Sequence, residues 1–214
     1  MDNTLNMILD KRIVAVIRDV SSGQILPTAE ALIGGGIVCL EVTFDSGSKE
    51  RSEDTLQSIA LLKKEFGGDI ALGAGTVLTV ENVREAAQAG AAYIVSPGAD
   101  EAVIGETKKQ GLIAVPGALT PTEILTAWGW GADIVKLFPA SVQGTEYVKA
   151  IRGPIRHIPL FAVGGVEAGN AKGFLEAGCA GICAGSNLVN TRWIAAGDYG
   201  AIRKLAQEYV HACA

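Results

Sequence analysis

Histidine, aromatic residues, paired cysteines and long apolar runs are all scarce in this chain of 214 residues. The two histidines, His157 and His211, match no metal-ligand spacing, and none of the four cysteines forms a CxxC pair, so no zinc motif is present and no metal is expected. Cys39, Cys179 and Cys183 sit among apolar residues, where buried free thiols are expected. Aromatics make up 6%, too few for a platform of stacked bases. No apolar run approaches the roughly 18 residues of a membrane span. The opening MDNTLNMILDKR has neither the basic start nor the apolar core of a secretion signal. Basic residues number 18 against 23 acidic ones, a formal charge of −5. A nucleic acid is therefore not an expected partner, nor is a membrane, whereas a small anionic substrate can still find a locally positive pocket. These absences predict a cytoplasmic protein. What is abundant is apolar: 49% hydrophobic residues allow a full core and exclude general disorder, and 27 glycines without a Gly-X-Y period exclude collagen.

Short apolar runs alternate with longer amphipathic stretches. Candidate strands are 13–17, 37–43, 70–76, 92–96, 112–116, 132–138, 158–163 and 180–184, rich in Val, Ile, Leu and Ala with little polar alternation. Parallel strands covered by helices read this way. The intervening helices carry end signals. Ser52 is placed to cap a helix that stops at Gly67–Gly68, and Thr120-Pro121-Thr122-Glu123 reads as a capping box with proline at the first helical position. Further helices run from Asp100 to Gln110, ending at Gly111, from Ala168 to Ala177, ending at Gly178, and from Asp198 onward. Eight strand–helix units after a short N-terminal helix predict an α/β fold, a compact (β/α)8 TIM barrel forming one domain over residues 1–214. An open doubly wound sheet is the alternative.

In such a barrel chemistry belongs at the C-terminal strand ends. Lys136 lies within Ile134-Val135-Lys136-Leu137-Phe138, where lysine is out of place. Apolar walls disfavour the ammonium ion, and a free amine attacks ketones to give a Schiff base. Glu41 lies within another apolar strand and shares a face with Cys39 and Thr43. If that face lines the barrel, Glu41 meets Lys136. Arg18 ends the first strand, and its planar fork suits a carboxylate. Thr76 closes Gly73-Ala74-Gly75-Thr76, with a hydroxyl to donate. Gly164-Gly165 and Gly185-Ser186 end the last two strands, where barrels bind phosphate. Each feature also has a plainer reading: a snorkelling lysine, a structural Lys–Glu pair, a surface arginine, tight turns.

Taken together, Leu40-Glu41-Val42-Thr43, Gly73-Ala74-Gly75-Thr76-Val77, Val95-Ser96-Pro97-Gly98, Pro116-Gly117-Ala118-Leu119-Thr120-Pro121-Thr122-Glu123, Val135-Lys136-Leu137-Phe138-Pro139-Ala140 and Gly164-Gly165-Val166 resemble the 2-keto-3-deoxy-6-phosphogluconate (KDPG) / 4-hydroxy-2-oxoglutarate (KHG) aldolases. The resemblance runs in order from Ile13 to about Leu188. It implies a class I aldolase, a homotrimer that needs no metal or other cofactor and acts on a small anionic keto acid. Lys136 would then be the Schiff-base lysine and Glu41 the acid/base. Arg18 and Thr76 would hold the pyruvyl carboxylate, Pro97, Phe138 and Val163 would shape the pocket, and Gly164, Gly165, Gly185 and Ser186 would hold phosphate. Asp45 stands where some members carry arginine, which moves the carboxylate role to Arg18. Valine at position 163 resembles the 6-phosphogalactonate relatives. The other readings are a different phosphate-binding barrel enzyme, an epimerase or synthase, and a non-catalytic phosphosugar-binding barrel.

Overall fold

The computed structural model describes residues 2–214. Helix α1 (Asp2–Lys11) leads into β1 (Ile13–Ile17), α2 (Ser22–Gly34), β2 (Cys39–Thr43), α3 (Lys49–Phe66), β3 (Ala71–Gly75), α4 (Val80–Ala89), β4 (Tyr93–Val95) and α5 (Glu101–Lys109). The chain continues through β5 (Ile113–Val115), β6 (Gly117–Ala118), α6 (Pro121–Gly129), β7 (Val135–Leu137), α7 (Ala140–Arg152), β8 (Leu160–Val163), α8 (Ala168–Glu176), β9 (Gly181–Ala184), α9 (Thr191–Ala195) and α10 (Tyr199–Cys213).

All paired strands are parallel, in the order β5-β4-β3-β2-β1-β9-β8-β7-β6. β5 and β6 are one stretch of chain divided at Pro116, whose missing N–H interrupts the ladder. The first half pairs with β4 and the second with β7, while Lys136 N–H donates to the Pro116 carbonyl at 2.9 Å. The two ends of the sheet thus meet in one segment. This is the barrel that eight strand–helix units predict, and the open doubly wound sheet is excluded.

Alternation along each strand divides the core in two. Leu40, Val42, Leu72, Leu137 and Leu160 face outward and pack under the helices. Val14, Cys39, Tyr93, Ile113, Phe161 and Cys183 face inward and form a second cluster, closed by Ile8 of α1. Space inside is tight. A Cβ on Gly73 would overlap the Tyr93 ring, which lies flat enough for its hydroxyl to donate to the Leu40 carbonyl at 2.7 Å. All four cysteines are free and buried, and burial pushes the thiols of Cys39 and Cys179 up to about 12, so none is a reactive thiolate.

Helix ends follow their chemistry. Thr120 and Glu123 form the reciprocal capping box, and Asp100 and Asp198 cap their helices. One cap differs. Ser48, not Ser52, caps α3, because the Lys49-Glu50-Arg51 turn is itself helical. Ser52 instead donates to the Asp45 carbonyl at 2.9 Å. Helix α9 was not anticipated, its five residues being too few for a periodic signal.

Between α4 and α5, Glu106 accepts from Arg84 Nε at 2.9 Å and from Gln110 Nε2 at 2.8 Å, with its side chain only 8% exposed. The Arg84 guanidinium and the Gln110 amide hold its carboxyl down at about 2. The folded state therefore gives up this proton more readily than the unfolded chain, and the contribution is full above the usual carboxylate range and fades as pH falls towards 2. Glu106→Gln is expected to lower Tm at pH 7, with the gap narrowing steadily between pH 5 and pH 3. An equal gap at pH 6 and pH 3, by calorimetry, contradicts this account.

Candidate active site

Lys136 is the central residue of β7 and Glu41 that of β2. The two strands are separated by β1, β9 and β8, so they form opposite walls of the barrel. Strand alternation turns both side chains inward, where Lys136 is 7% and Glu41 1% exposed. Lys136 Nζ stands 5.0 Å from the centre of the Phe138 ring. Among the described residues neither group has an ion-pair partner within 4.0 Å, and the buried Oε2 of Glu41 has no hydrogen-bond partner. Burial pushes the Glu41 carboxyl up, and the positive charges of Lys136 and then Arg18 pull it back only in part. The result is a carboxyl that holds its proton more tightly than usual, in the same lumen as the Lys136 side chain.

The fit of Glu41 depends on its neighbour strand. A Cβ on Gly75 would overlap Glu41 Oε1. The two glycines of Gly73-Ala74-Gly75 therefore make room for protein side chains, the Tyr93 ring and the Glu41 carboxyl. That purpose is invisible in the motif itself.

At the rim, Arg18 Nη2 donates to Thr76 Oγ1 at 3.0 Å. Residues 58 apart in sequence are thus brought together, and they stand beside Glu41, whose carboxyl feels the Arg18 charge. Thr76 has φ +57 and Asp19 φ +58, left-handed backbone at non-glycine residues. Pro97 and Phe138 are exposed at the same end of the barrel, and Val163 is buried inside it.

Gly164 and Gly165 have φ +92 and +69, which favour glycine, and a Cβ on Gly165 would overlap Ser141 Oγ. The N–H groups of Gly164, Gly165 and Ser186 donate no hydrogen bond to any described residue. A side chain built on Gly185 would meet open space. The ends of the adjacent strands β8 and β9 thus present unspent donors, with open space at Gly185, the chemistry an oxyanion needs.

A cleft of about 790 Å³ opens beside the ends of β1 and β2, lined by Arg18, Thr43, Asp45, Arg51 and Thr76 among others. Arg51 Nη1 donates to Asp45 Oδ2 at 2.8 Å and to Asp19 Oδ1 at 3.1 Å. Arg51 went unnoticed in the sequence, where it is one charge of a solvated helix. Ser141, against Gly165, was also missed. Among the described residues no group of three or more His, Cys, Asp or Glu side chains converges as a metal site, and no helix is long and apolar enough to cross a membrane.

The family model for KDPG and KHG aldolases matches residues 5–205. A 2-dehydro-3-deoxy-phosphogluconate aldolase of Treponema pallidum is 35% identical over 198 residues, covering 92% of this chain and 91% of that one. A 2-dehydro-3-deoxy-6-phosphogalactonate aldolase of Escherichia coli is also 35% identical, over 177 residues, covering 82% and 83%. Among solved structures, the KDPG aldolase of Legionella pneumophila, with pyruvate captured as a covalent carbinolamine, superposes with a TM-score of 0.83 at 28% identity, covering 95% and 96%.

Proposed function

The chain belongs to the KDPG and KHG aldolase family and is an aldolase, and we propose that it cleaves a 2-keto-3-deoxy-6-phosphosugar acid to pyruvate and glyceraldehyde 3-phosphate through an imine on Lys136. Cleavage of 4-hydroxy-2-oxoglutarate to pyruvate and glyoxylate uses the same steps. One observation carries the reading: Lys136 and Glu41 are buried in one lumen from opposite walls, with the Arg18–Thr76 pair at its mouth. Membership of the family displaces the epimerase, synthase and non-catalytic readings.

Arg18 and Thr76 bind the keto-acid carboxylate, which sets the C2 ketone against Lys136 Nζ. The amine adds to C2, and loss of water leaves an iminium that accepts electrons. Glu41, directly or through a water, takes the proton from the C4 hydroxyl. The C3–C4 bond breaks, its electron pair enters the iminium as an enamine, and the aldehyde leaves. Glu41 then returns a proton to C3, and water releases pyruvate from Lys136. A group that acts as base and then acid works best when its proton affinity is near the working pH, and burial moves Glu41 in that direction. Phe138, Pro97 and Val163 wall the reacting carbons. The free N–H groups at Gly164 and Gly165, with Gly185 and Ser186, receive the phosphate. The iminium is the electron sink, so the reaction calls for no metal and no other cofactor. We place the enzyme in the cytoplasm as a homotrimer, as the family resemblance implies.

Two measurements test this. Borohydride in the presence of pyruvate should leave a reduced adduct that mass spectrometry locates on Lys136, and its absence there overturns the reading. A coupled pyruvate-release assay should favour the C4 epimer of the gluconate series over that of the galactonate series. The reverse order selects a second reading, a phosphogalactonate-type enzyme, which Val163 and the 35% identity to the Escherichia coli protein support.

A further inference from the structure

The carboxylate anchor is surrounded by charges that compete for it. The cleft beside Arg18 contains the carboxylates of Asp19, Asp45, Glu50, Glu53 and Asp54 against only two cations, Arg18 and Arg51. Asp19 is the next residue in the chain, and Asp45 lies within electrostatic reach of the Arg18 guanidinium. A guanidinium left among free carboxylates folds back onto them, because a bidentate Arg–carboxylate pair is strong and needs no substrate. Yet Arg18 makes no hydrogen bond to either aspartate and donates instead to Thr76 Oγ1, at 3.0 Å.

The reason is on α3. The Nη1 atom of Arg51 reaches both Asp45, at 2.8 Å, and Asp19, at 3.1 Å, so one side chain occupies both the carboxylate that feels the Arg18 charge and the one next to Arg18 in the chain. Asp45 is fixed from behind as well: Gly47 N–H donates to its Oδ1 at 2.8 Å, and Ser52 Oγ to its carbonyl at 2.9 Å. Asp54, a further acid of α3 in the cleft, is occupied by the N–H and Oγ of Ser22 at 3.0 and 2.5 Å. Arg51 is itself 61% exposed, and an ion pair in such a position contributes little to stability. Its placement is better explained by what it does to its neighbours.

We infer that Arg51 is a positioning residue for the carboxylate anchor: by engaging Asp45 and Asp19 it keeps both from capturing Arg18, and so leaves the Arg18 guanidinium free for the keto-acid carboxylate. The inference rests on the proposed role of Arg18. It also gives the acidic residue at position 45 a purpose, since Asp45 holds Arg51 at the mouth of the site while Arg51 silences Asp45.

The test measures the pyruvate concentration that half-saturates borohydride trapping, together with kcat and KM for the keto acid. Arg51→Ala and the longer Arg51→Gln should each raise half-saturation and KM by about tenfold while leaving kcat within about twofold, as loss of uniform binding requires. Adding Asp19→Asn and Asp45→Asn to Arg51→Ala should restore half-saturation, because the competing charges are gone. A support that merely braced the loops would not be rescued by removing more of its contacts. In an Arg18→Ala background, Arg51→Ala should have no further effect. Unchanged half-saturation with both Arg51 variants, a failed rescue, or an additive effect in the Arg18→Ala background each overturns the inference while leaving the aldolase reading intact. If Arg18→Ala itself leaves half-saturation unchanged, the carboxylate role of Arg18 falls, and the inference with it.

Discussion

Lys136→Ala is expected to abolish pyruvate release, a fall on the order of 10⁴-fold or more in kcat, as removal of a covalent nucleophile produces. The borohydride adduct should vanish with it. Lys136→Arg is the sharper variant. It keeps a positive charge facing Glu41 and the Phe138 ring, but a guanidinium does not form an imine. If the cation served only to hold an anionic substrate, arginine would keep much of the activity. Covalent chemistry predicts that Lys136→Arg is as inactive as alanine. Residual turnover within about tenfold of the unmodified enzyme would place the role of Lys136 in electrostatics and remove the imine from the mechanism. A third variant separates loss of folding from loss of chemistry. A buried cation without an ion-pair partner within 4.0 Å contributes little to stability, so Lys136→Met should retain or raise Tm while remaining inactive.

Glu41→Gln should separate imine formation from carbon–carbon cleavage. Loss of a positioned acid/base lowers kcat by about 10²–10⁴-fold, whereas Lys136 can still trap pyruvate. Full turnover by Glu41→Gln would transfer the proton-transfer role to another group. The same variant has a stability signature of opposite sign to that of Glu106. The folded state holds the Glu41 proton more tightly than the unfolded chain does, because burial outweighs the charges of Lys136 and Arg18. Ionising it therefore costs stability. That cost is absent below the usual carboxylate range, grows as pH rises, and is complete above the folded-state value. Glutamine resembles the protonated acid in shape and carries no charge. Glu41→Gln should thus match the unmodified protein in Tm near pH 4 and exceed it at pH 8. A variant less stable at pH 8 than at pH 4, relative to the unmodified protein, would show that Glu41 is held as a stabilised anion. The enzyme on this account gives up stability at neutral pH to keep a proton-transfer group in a dry lumen.

Much of this was readable from residue order because it is local. Strand periodicity turns side chains two apart to the same side, so Glu41 and Lys136 were bound to face the same way as Cys39 and Ile134, wherever those strands ended up. Capping is equally local, and Thr120–Glu123 and Asp100 behaved as their neighbours dictated. The Ser48/Ser52 difference arose because two serines four apart both fit a cap, and only the chain path of the preceding loop selects one.

The rest depends on distances between segments far apart in the chain, which no local pattern encodes. Closure of the sheet at Pro116 decides that β2 and β7 are opposite walls, and hence that Lys136 and Glu41 share a lumen. Register between β2 and β3 decides that Gly75, paired with Thr43, leaves the space Glu41 fills. The docking of α3 decides that Arg51, an ordinary helix charge by sequence, bridges Asp45 and Asp19 beside the anchor. Residue order thus singled out the groups that the proposed chemistry uses and the neighbours with which each shares a face. Packing of the closed barrel set what each one meets, because those contacts exist only once all the strands and their loops are in place.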